Sequence, residues 1–506
     1  MCLGGPPRSL RFFRTPRTSR TAKPSKEAEP LISVAYRLSF LLTFTFVPVV
    51  ADEVRDVHLV LDSRIIATVD NAELRVGKVH KHEANPLFKQ ERPWETFISH
   101  MYPNVVFDRD KARYQMWYYT RKMGQPWSQE TTPGPSYPGE DPLAGGGVSI
   151  CYAESRDGIT WTKPGLDVIL YRGKPTNIVM DNTHGVGVFK DPHDQDPGRR
   201  YKAFGSRHHA PPNDNLWVAF SADGIHWSQR KHVGNARGDT HNNAFWAPVL
   251  NKYVGITREY PVPLGDPINS ARGIRTVLRM ESKDFVNWTK PVEVLRGPRK
   301  AQTYSMPCFP YAGVYLGLPA IFGSATQGRV QTELAWSPDS KQWHRIDEGA
   351  QLIPWSEKAG TYDWGCIYAA ATPVILDDEI RIYYSGQAGR HGWNPGHWCL
   401  ATLRLDGWAG YEAKDKTKPA LITTHPVTCS DKTLRVTGDA EDGSIRATLL
   451  DEQGKTLAVS NLITGEVTDA AVIFERHADL AKLRGKDLRL KFELTRAKLY
   501  SFSFSD

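Results

Sequence analysis

The sequence predicts an all-β protein, a five-bladed β-propeller followed by a small antiparallel β-sandwich. Three observations lead to this prediction. A short turn that ends in tryptophan recurs along the chain, strand-like runs precede each copy, and the pattern changes near Leu421. Aromatic residues make up 11% of the chain, with 15 tryptophans, and the absence of long helical patterns also favours strands.

The recurring turn is SRDGITW at Ser155–Trp161, with a close copy, SADGIHW, at Ser221–Trp227 and weaker copies that end at Trp288 and Trp343. A fifth tip, LDGW, carries Asp406. The aspartates stand roughly 55 to 67 residues apart, a spacing typical of four-stranded blades. Ser and Asp side chains hold such bends by hydrogen-bonding backbone N–H groups. We therefore interpret the turns as structural, with each tryptophan buried between neighbouring blades.

Each turn follows a run that alternates or is continuously apolar, such as GVSICYAE before the first copy and LWVAF before the second. Two earlier strand-like runs joined by a polar hairpin precede each of these runs. From about Leu421, short alternating runs with Asp-Gly and Gly-Lys turns predict the sandwich. The predicted boundaries are 52–410 for the propeller and 421–506 for the sandwich, with GWAGYEAKDKTKPA as the connection.

Residues 1–51 predict a basic disordered segment followed by a signal peptide. Residues 1–30 are of low complexity, and Arg37 then precedes the apolar run LSFLLTFTFVPVVA, which ends at Ala51. We expect a secreted or periplasmic protein whose translation starts near Leu31 or Val34. A membrane anchor is the alternative, although the run is short for a span.

The amino-acid composition indicates which partners to expect and what stabilises the fold. The net charge of +8 comes partly from the first 40 residues, so nucleic acid is not an expected partner. Five cysteines beyond the signal are scattered without a CxxC pair, so the core is expected to supply the stability. No HExxH, GxGxxG, P-loop or GxSxG motif occurs, and we predict neither a metal nor a cofactor.

The turns SRDGITW and SADGIHW, with NPLFKQERPWE at Asn85–Glu95 and GDTHNNAFW at Gly238–Trp246, resemble the glycoside hydrolases with a five-bladed propeller. This broad group includes sucrose-, fructan- and arabinan-cleaving enzymes, and the resemblance covers roughly residues 80 to 506. It implies three acidic residues at one mouth of the central channel, one from each of the first three blades. Sialidases, whose Asp-box has one more residue between Asp and Gly, are a minor alternative.

The predicted catalytic carboxylates are Glu95, Asp181 and Asp239, each just before or early in the first strand of a blade. Glycoside hydrolysis uses two carboxyl groups, one as acid and the other as base or nucleophile. Asp239 is the sharpest candidate, because GDTHNNAFW places an acid, a hydroxyl, an imidazole and two amides before an apolar strand. The family usually has Asp at the place of Glu95. If Glu95 does not fill the catalytic role, Glu259 is the alternative acid.

Other polar and aromatic residues near the same strand ends are predicted to bind the sugar, with Trp364 as a stacking platform. The predicted binding residues are His100, Tyr102, His184, Arg207, His241, Arg258, Glu259, Tyr304, Asp363, Trp364 and His391. Arginines near this mouth, including Arg272 and Arg275, would favour an anionic sugar such as a uronate or a sulfated residue. The triplet at Lys190–Pro192 resembles the family's Arg-Asp-Pro. It follows the strand VGVF, however, so it should lie at the far end of the hairpin, away from the channel.

The leading hypothesis is an exported glycoside hydrolase that cleaves a poly- or oligosaccharide. The alternatives are a non-catalytic carbohydrate-binding propeller and, third, a scaffold that binds a partner. Three carboxylates within about 10 Å of one another at the mouth would favour the enzyme, because that separation suits acid and base on one bond. Their dispersal would favour the binding protein.

Overall fold

The computed structural model describes residues 56–505, with gaps at 89, 96–101, 122–147, 207–215, 235, 237, 262–272, 393, 395 and 476–479. The predicted signal segment lies outside the described residues. The described chain consists of strands and short 3-10 helices, so the predicted all-β class is confirmed. The 3-10 helices are Arg109–Lys111, Pro197–Arg199, Pro248–Leu250, Arg299–Ala301, Ser324–Thr326 and Leu480–Leu483. No helix within these ranges is long and apolar enough to cross a membrane.

The strands of the first three-fifths of the chain form three consecutive groups after a short N-terminal set. The N-terminal strands are β1 (Val57–Leu59), β2 (Ile66–Asp70), β3 (Ala72–Val76) and β4 (His80–Lys81). Group 1 contains β5 (Asn104–Asp108), β6 (Arg113–Arg121), β7 (Val148–Ser155), the hairpin β8 (Leu166–Tyr171) and β9 (Lys174–Thr176), and the first half of β10 (Ile178–Lys190). Group 2 contains the second half of β10, β11 (Tyr201–Ser206), β12 (Leu216–Ser221) and β13 (Lys231–His232). Group 3 contains β14 (Asn243–Ala247), β15 (Lys252–Glu259), β16 (Thr276–Ser282) and β17 (Val292–Arg296).

Two further groups and a C-terminal set complete the described chain. Group 4 contains β18 (Gln302–Ser305), β19 (Cys308–Tyr311), β20 (Val314–Gly317), β21 (Ala320–Phe322), β22 (Val330–Thr332), β23 (Leu334–Ser337) and β24 (His344–Ile346). Group 5 contains β25 (Cys366–Ala369), β26 (Val374–Ile375), β27 (Glu379–Gln387) and β28 (Gly396–Arg404). The C-terminal strands are β29 (Ala409–Ala413), β30 (Ala420–Thr424), β31 (Val427–Thr428), β32 (Thr433–Leu450), β33 (Thr456–Val459), β34 (Ile463–Ala471), β35 (Asp487–Thr495) and β36 (Lys498–Ser505).

Within the groups, neighbouring strands pair antiparallel in chain order. Group 3 shows this most simply, with the order β14-β15-β16-β17. The long strand β10 serves two groups, because Met180 pairs with β7 and Gly187 pairs with β11. Group 4 is split by breaks into β18-β21-β22 and β19-β20-β23-β24. At the junction of groups 1 and 2, the outer strand of one group is therefore continuous with the first strand of the next.

Group 5 is completed by a strand from the other end of the described chain. Strand β4 pairs antiparallel with β28, where Lys81 lies opposite Ala401. The Lys81 ammonium also forms a 2.5 Å ion pair with Asp363, which precedes β25 of the same group. The N-terminal segment thus closes the run of five groups.

The division of the chain differs from the predicted one at both ends. Strands β1 to β3 pair with C-terminal strands, β1 with β36, β2 with β30 and β3 with β29. Residues 57–76 therefore belong to the eleven-stranded C-terminal sheet and not to the predicted 52–410 unit. Strand β29 also lies inside the segment predicted as a connection. The reason is physical: these short strands are completed by partners more than 300 residues away, which no local pattern reveals.

The recurring turns have the predicted hydrogen bonds. In the first copy, Ser155 Oγ accepts from the N–H of Gly158 at 2.8 Å, and Asp157 Oδ1 accepts from two later N–H groups at 2.8 Å. Burial alone would raise the pKa of Asp157, but these donors outweigh it and lower the pKa to about 2. Asp223 and Asp284 have the same arrangement and pKa values of about 2.

The tips also join adjacent groups. The Trp117 indole of group 1 donates a 2.6 Å hydrogen bond to the carbonyl of Gly224, the tip of group 2. Tyr383 of group 5 donates likewise to Gly158 at 2.9 Å. Both glycines have positive φ, and a Cβ at Gly224 would come within 2.4 Å of the Trp117 ring. The turn is therefore a contact between groups as well as a bend.

The tip tryptophans are buried to different degrees. Trp288 is buried and stacks on Phe204 of the preceding group, with ring centroids 5.1 Å apart. Trp161, Trp227 and Trp343 are partly buried, and each packs against a core cluster. All four were expected to be largely buried; Trp288 is buried and the other three are partly buried.

The described cysteines make no disulfide. Cys151, Cys308, Cys366, Cys399 and Cys429 are buried free thiols. Apolar side chains between successive groups and within the C-terminal sheet supply the core.

Candidate functional site

Asp239 lies at the centre of a polar cluster formed where the first strands of the groups begin. It precedes β14, and its Oδ2 accepts a 2.7 Å hydrogen bond from Arg258 Nη2 near the end of β15. His184, at the turning point of β10, places Nε2 3.1 Å from Asp239 Oδ1. A carboxylate only accepts, so His184 donates from Nε2. Two groups of strands thus hold one carboxylate.

Asp239 is held as an anion that solvent or a ligand can still reach. Burial by itself would raise the pKa of this carboxyl group. Arg258, His184 and a hydrogen bond from Tyr260 outweigh burial and hold the pKa of Asp239 well below its usual range. The Asp239 side chain is 17% exposed, whereas Arg258 is 4% exposed. The arginine is therefore a buried support, and the carboxylate is the accessible group.

An aromatic floor lies beside this carboxylate. The rings of Tyr102 and His241 stack at 3.9 Å with an interplanar angle of 4°. Tyr368 meets Tyr102 at 5.6 Å and Tyr304 at 5.5 Å, measured between ring centroids. The Tyr102 hydroxyl also hydrogen-bonds Ser305. These buried rings come from the first strands of groups 1, 3, 4 and 5 or from the residues before them, so the strand starts converge here.

The floor continues from Arg258 to His391. Arg258 donates a 2.9 Å hydrogen bond to the carbonyl of Tyr304 and lies over its ring at 4.3 Å. His391 contacts Tyr304 at 5.1 Å and Phe322 at 4.3 Å. Burial, together with the nearby cations Arg275 and Arg258, lowers the pKa of His391 to about 4, so its ring is neutral near pH 7.

We call these residues the Asp239 cluster: Tyr102, His184, Asp239, His241, Arg258, Tyr260, Tyr304, Tyr368 and His391. Seven of them were among the predicted site residues. Tyr260 and Tyr368 were missed. Tyr260 could have been found, because it follows Arg258 by two residues and so lies on the same side of the chain.

Glu95, a predicted catalytic residue, lies in a different buried network. Its carboxylate forms a 2.9 Å ion pair with Lys163 and accepts a hydrogen bond from the Tyr118 hydroxyl. It also accepts from the backbone N–H of Glu91 at 2.8 Å and of Arg92 at 3.0 Å. Neither Glu95 nor Lys163 has a side chain more than 3% exposed. These contacts match a structural ion pair and leave the carboxylate no access to a substrate.

Asp363 was predicted to bind sugar and is instead fully buried. Its carboxylate pairs with Lys81, accepts a 2.9 Å hydrogen bond from Tyr384 and also contacts Ser356. The side chain has no exposed surface. This aspartate therefore ties the closing strand β4 to group 5.

Asp181 and Glu259 flank the Asp239 cluster. Asp181 lies three residues before His184, in the irregular part of β10, and its side chain is 47% exposed. Its nearest charged neighbour is Arg230 at 3.9 Å. Glu259 follows Arg258 on β15, and alternation along a strand turns its side chain to the face opposite Arg258. Asp181 is thus an accessible carboxylate, and Glu259 does not share the Arg258 face.

Three predicted residues, His100, Arg207 and Arg272, lie outside the described residues. Asp191 of the look-alike triplet follows the last residue of β10, at the far end from His184. It is buried, forms a 2.8 Å ion pair with Lys202 and accepts a 2.7 Å hydrogen bond from Tyr253. The structure gives Asp191 a supporting role between groups 2 and 3.

One group of described residues has cation-binding geometry. Ligand atoms of Asp439, Glu441 and Glu466 lie within 4.8 Å of one another. They stand on β32 and β34, in the C-terminal sheet, and Glu466 is paired with Arg404 at 2.6 Å. This triplet shares no contact with the Asp239 cluster.

No protein-family model and no curated protein sequence matches this chain. Solved structures do resemble it. One, from a study of GH130 glycoside hydrolases that target β-1,2-mannosidic linkages in Candida mannan, is 16% identical over 64% of this chain and 94% of its own, with a TM-score of 0.41. An N-acetylgalactosamine deacetylase from F. plautii is 13% identical over 68% and 96%, with a TM-score of 0.40. A glycosyl hydrolase from Bacteroides ovatus is 13% identical over 64% and 94%, with a TM-score of 0.40. Likenesses this distant do not identify what this chain binds or catalyses.

Proposed function

We propose that the protein is a carbohydrate-active β-propeller that hydrolyses a glycosidic bond at the Asp239 cluster. In this interpretation the five strand groups are the five blades, and the starts of their first strands line one mouth of the central channel. One observation carries the proposal. An accessible carboxylate is held ionised by Arg258 and His184 beside buried aromatic rings, where side chains from different groups converge.

The electrostatics suggest a division of roles. An aspartate whose pKa is strongly lowered is a poor proton donor at neutral pH but a good base, nucleophile or partner for a cationic transition state. We assign one of these roles to Asp239. Asp181, which is half exposed and three residues from His184, is the second carboxylate and the proposed proton donor to the leaving oxygen. Glu95 is left out, because Lys163 and Tyr118 occupy its carboxylate.

A second candidate is a non-catalytic carbohydrate-binding propeller. The observation that favours it is the dispersal of the predicted acids. Glu95 is paired with the buried Lys163 and Asp363 with the partly exposed Lys81, and neither carboxylate side chain has exposed surface. In that case Asp239 would accept hydrogen bonds from sugar hydroxyls and would not take part in bond cleavage.

The deciding experiment is a screen of poly- and oligosaccharides followed by kinetics on Asp239→Asn. The amide nearly matches the carboxylate in shape, so we expect the fold to survive and turnover to fall by about 10²–10⁴-fold, the usual worth of acid or base catalysis. Asp181→Asn should behave similarly. Glu95→Gln and Asp191→Asn are matched controls: both should lower the melting temperature, because each removes one carboxylate charge from a buried lysine, Lys163 or Lys202, while folded protein keeps its turnover.

The outcomes separate the two candidates. Unchanged turnover in Asp239→Asn would contradict the enzyme mechanism. A glycan that binds the wild-type protein in calorimetry but is never cleaved would favour the binding protein.

We further propose that the chain is exported by its N-terminal signal. The support is the sequence alone: Arg37, the apolar run after it and the small residues that end at Ala51. Sequencing the N-terminus of the protein from the native cell envelope or medium tests the cleavage. A mature protein that begins near Met1 would contradict it.

A further inference from the structure

Three arginines near the Asp239 cluster have no acidic partner. Among the residues that the structure describes, Arg275, Arg329 and Arg390 form no ion pair, whereas Arg258 is neutralised by Asp239. The Arg275 guanidinium donates to the amide oxygen of Gln302 at 3.2 Å, which leaves its charge uncompensated. Arg275 and Arg329 are half-buried, and arginines in such positions are usually paired. With the exposed Arg390 beside them, they form a set of uncompensated cations next to a candidate site, which indicates an anionic ligand.

Two of these arginines share one indole. The Arg329 guanidinium lies 3.6 Å from the ring centroid of Trp355 and 5.4 Å from that of Trp364. The Arg390 guanidinium lies 5.6 Å from the Trp364 ring. Burial lowers the pKa of Arg329, and the positive charge of Arg390 lowers it further. The two cations therefore repel each other, and an anion between them would relieve that repulsion.

This arginine pair continues the floor of the Asp239 cluster. Arg390 directly precedes His391, and the His391 ring contacts Tyr304, whose carbonyl accepts the hydrogen bond from Arg258. Phe322 bridges the same region, since it meets both His391 at 4.3 Å and Arg275 at 5.0 Å. A chain of contacts thus runs from Asp239 to Arg390.

A concave surface lies beside Arg329. Arg329 and Trp355 line an open surface depression of about 410 Å³. Gln351 and Ser356 supply polar groups to its wall. One acid, Glu357, also lines it and is exposed, so it can turn to solvent.

We propose that Arg329, Arg390, Trp355 and Trp364 form a subsite for a negatively charged sugar of the glycan. The guanidiniums would bind a carboxylate or a sulfate ester through charge-assisted hydrogen bonds, and the indoles would pack against the sugar ring. The substrate class is then an anionic glycan, with the anionic sugar beside the one that lies at Asp239. This inference rests on the proposed function of the Asp239 cluster.

Calorimetric titration of the mature protein at low salt tests the subsite. The ligands form two matched pairs: oligogalacturonate with its carboxyl-reduced neutral form, and a sulfated galacto-oligosaccharide with its desulfated form. We expect one anionic member to bind at least about tenfold more tightly than its neutral partner, a difference that one charge-assisted pair can supply. The pair that shows the preference identifies the anion as a carboxylate or a sulfate ester.

Substitution of the two arginines tests whether they cause the preference for the anionic glycan. Arg329→Gln with Arg390→Gln should abolish the tenfold preference and leave binding of the neutral partner unchanged. Arg390 is exposed, so Arg390→Gln alone retains the fold and should remove part of the preference. The control is Arg156→Gln, an exposed arginine at the first hairpin tip, which should bind like the wild type.

The possible failures are distinct. Equal binding of charged and neutral glycans, or a preference that survives in the double variant, would overturn the subsite and leave the proposed function standing. Inorganic sulfate that binds as tightly as the sulfated sugar would reveal a simple ion site and would also overturn the subsite. Binding of none of these glycans, charged or neutral, and no hit in the wider glycan screen would overturn both proposals.

Discussion

His241 shows at the scale of one residue how the fold restricts chemistry at the site. Its ring is 2% exposed and lies flat on Tyr102. Burial lowers its pKa to about 3, although a backbone hydrogen bond at Val186 acts in the opposite direction. The sequence placed His241 among the sugar-binding residues, yet its ring belongs to the floor under Asp239. Asp239 and His184, with Tyr260 and His391, are the members of the cluster that are partly exposed.

The His241 pKa predicts a loss of stability in acid. The folded pKa of about 3 lies below the ordinary value of 6.5, so the unfolded chain binds the proton first. The free energy of unfolding should therefore fall as the pH drops from about 6.5 to about 3, by up to about 1.4 kcal/mol per pH unit for one proton. His241→Phe keeps the stack on Tyr102 and should make this fall shallower in urea unfolding at several pH values. His425→Gln, at an exposed position, should leave the slope unchanged, and an unaltered slope in His241→Phe would contradict the prediction.

At the scale of the element, the repeated hairpin tip acts as a joint between strand groups. Its Ser and Asp organise the bend, and in the two copies with glycine the carbonyl of that glycine accepts a hydrogen bond from an aromatic residue of an adjacent group. In the weaker copies Phe285 and Ser340 take the glycine position with positive φ, which shows that the bend persists without glycine. The repeats therefore preserve a geometry more strictly than a sequence.

The degree of burial predicts which tip tryptophan matters most. Trp288→Ala should lower the free energy of unfolding by about 3–5 kcal/mol, because a buried ring stacked on Phe204 is removed and a cavity remains. Trp343→Ala should cost less, since that indole is partly exposed. Denaturant unfolding of both variants checks the order. Equal losses would mean that burial of the indole does not decide its contribution.

At the scale of the whole molecule, long-range ion pairs close the structure. Lys81 and Asp363 join the first strands of the described chain to group 5, as Glu95 and Lys163 join the segment before group 1 to its first hairpin tip. In both pairs the carboxylate is fully buried. Such pairs specify which segments meet, and breaking one leaves a charge without a partner.

Lys81→Ala should destabilise the molecule by about 3–5 kcal/mol, because the Asp363 carboxylate would lose its counter-ion inside the protein. Adding Asp363→Asn should recover part of this loss, since the amide carries no charge. Melting temperatures and urea midpoints of the two single variants and the double variant measure the coupling. Additive losses would show that the pair does not act as a unit.

The sequence by itself determined the all-β class, the repeated turns and the position of Asp239 before an apolar strand. Each of these depends on residues close together in the chain, namely side chains that cap a bend and alternation along a strand. The same reasoning kept Asp191 away from the site, and the structure places it at the far end of β10.

Only the tertiary structure decided which carboxylates are available for chemistry. Glu95, Asp363 and Asp239 occupy similar places before a first strand, and the local sequence that favoured Asp239 did not show that the other two carboxylates are buried. Two meet a lysine that is distant in sequence and are buried, and the third meets Arg258 and His184 and stays accessible. Strand pairing near the ends of the chain also depends on distant residues, since the strands at 57–76 pair with strands beyond residue 408. The physical reason is that the charge state and the strand partner of a residue depend on its neighbours in space, which come from distant parts of the chain.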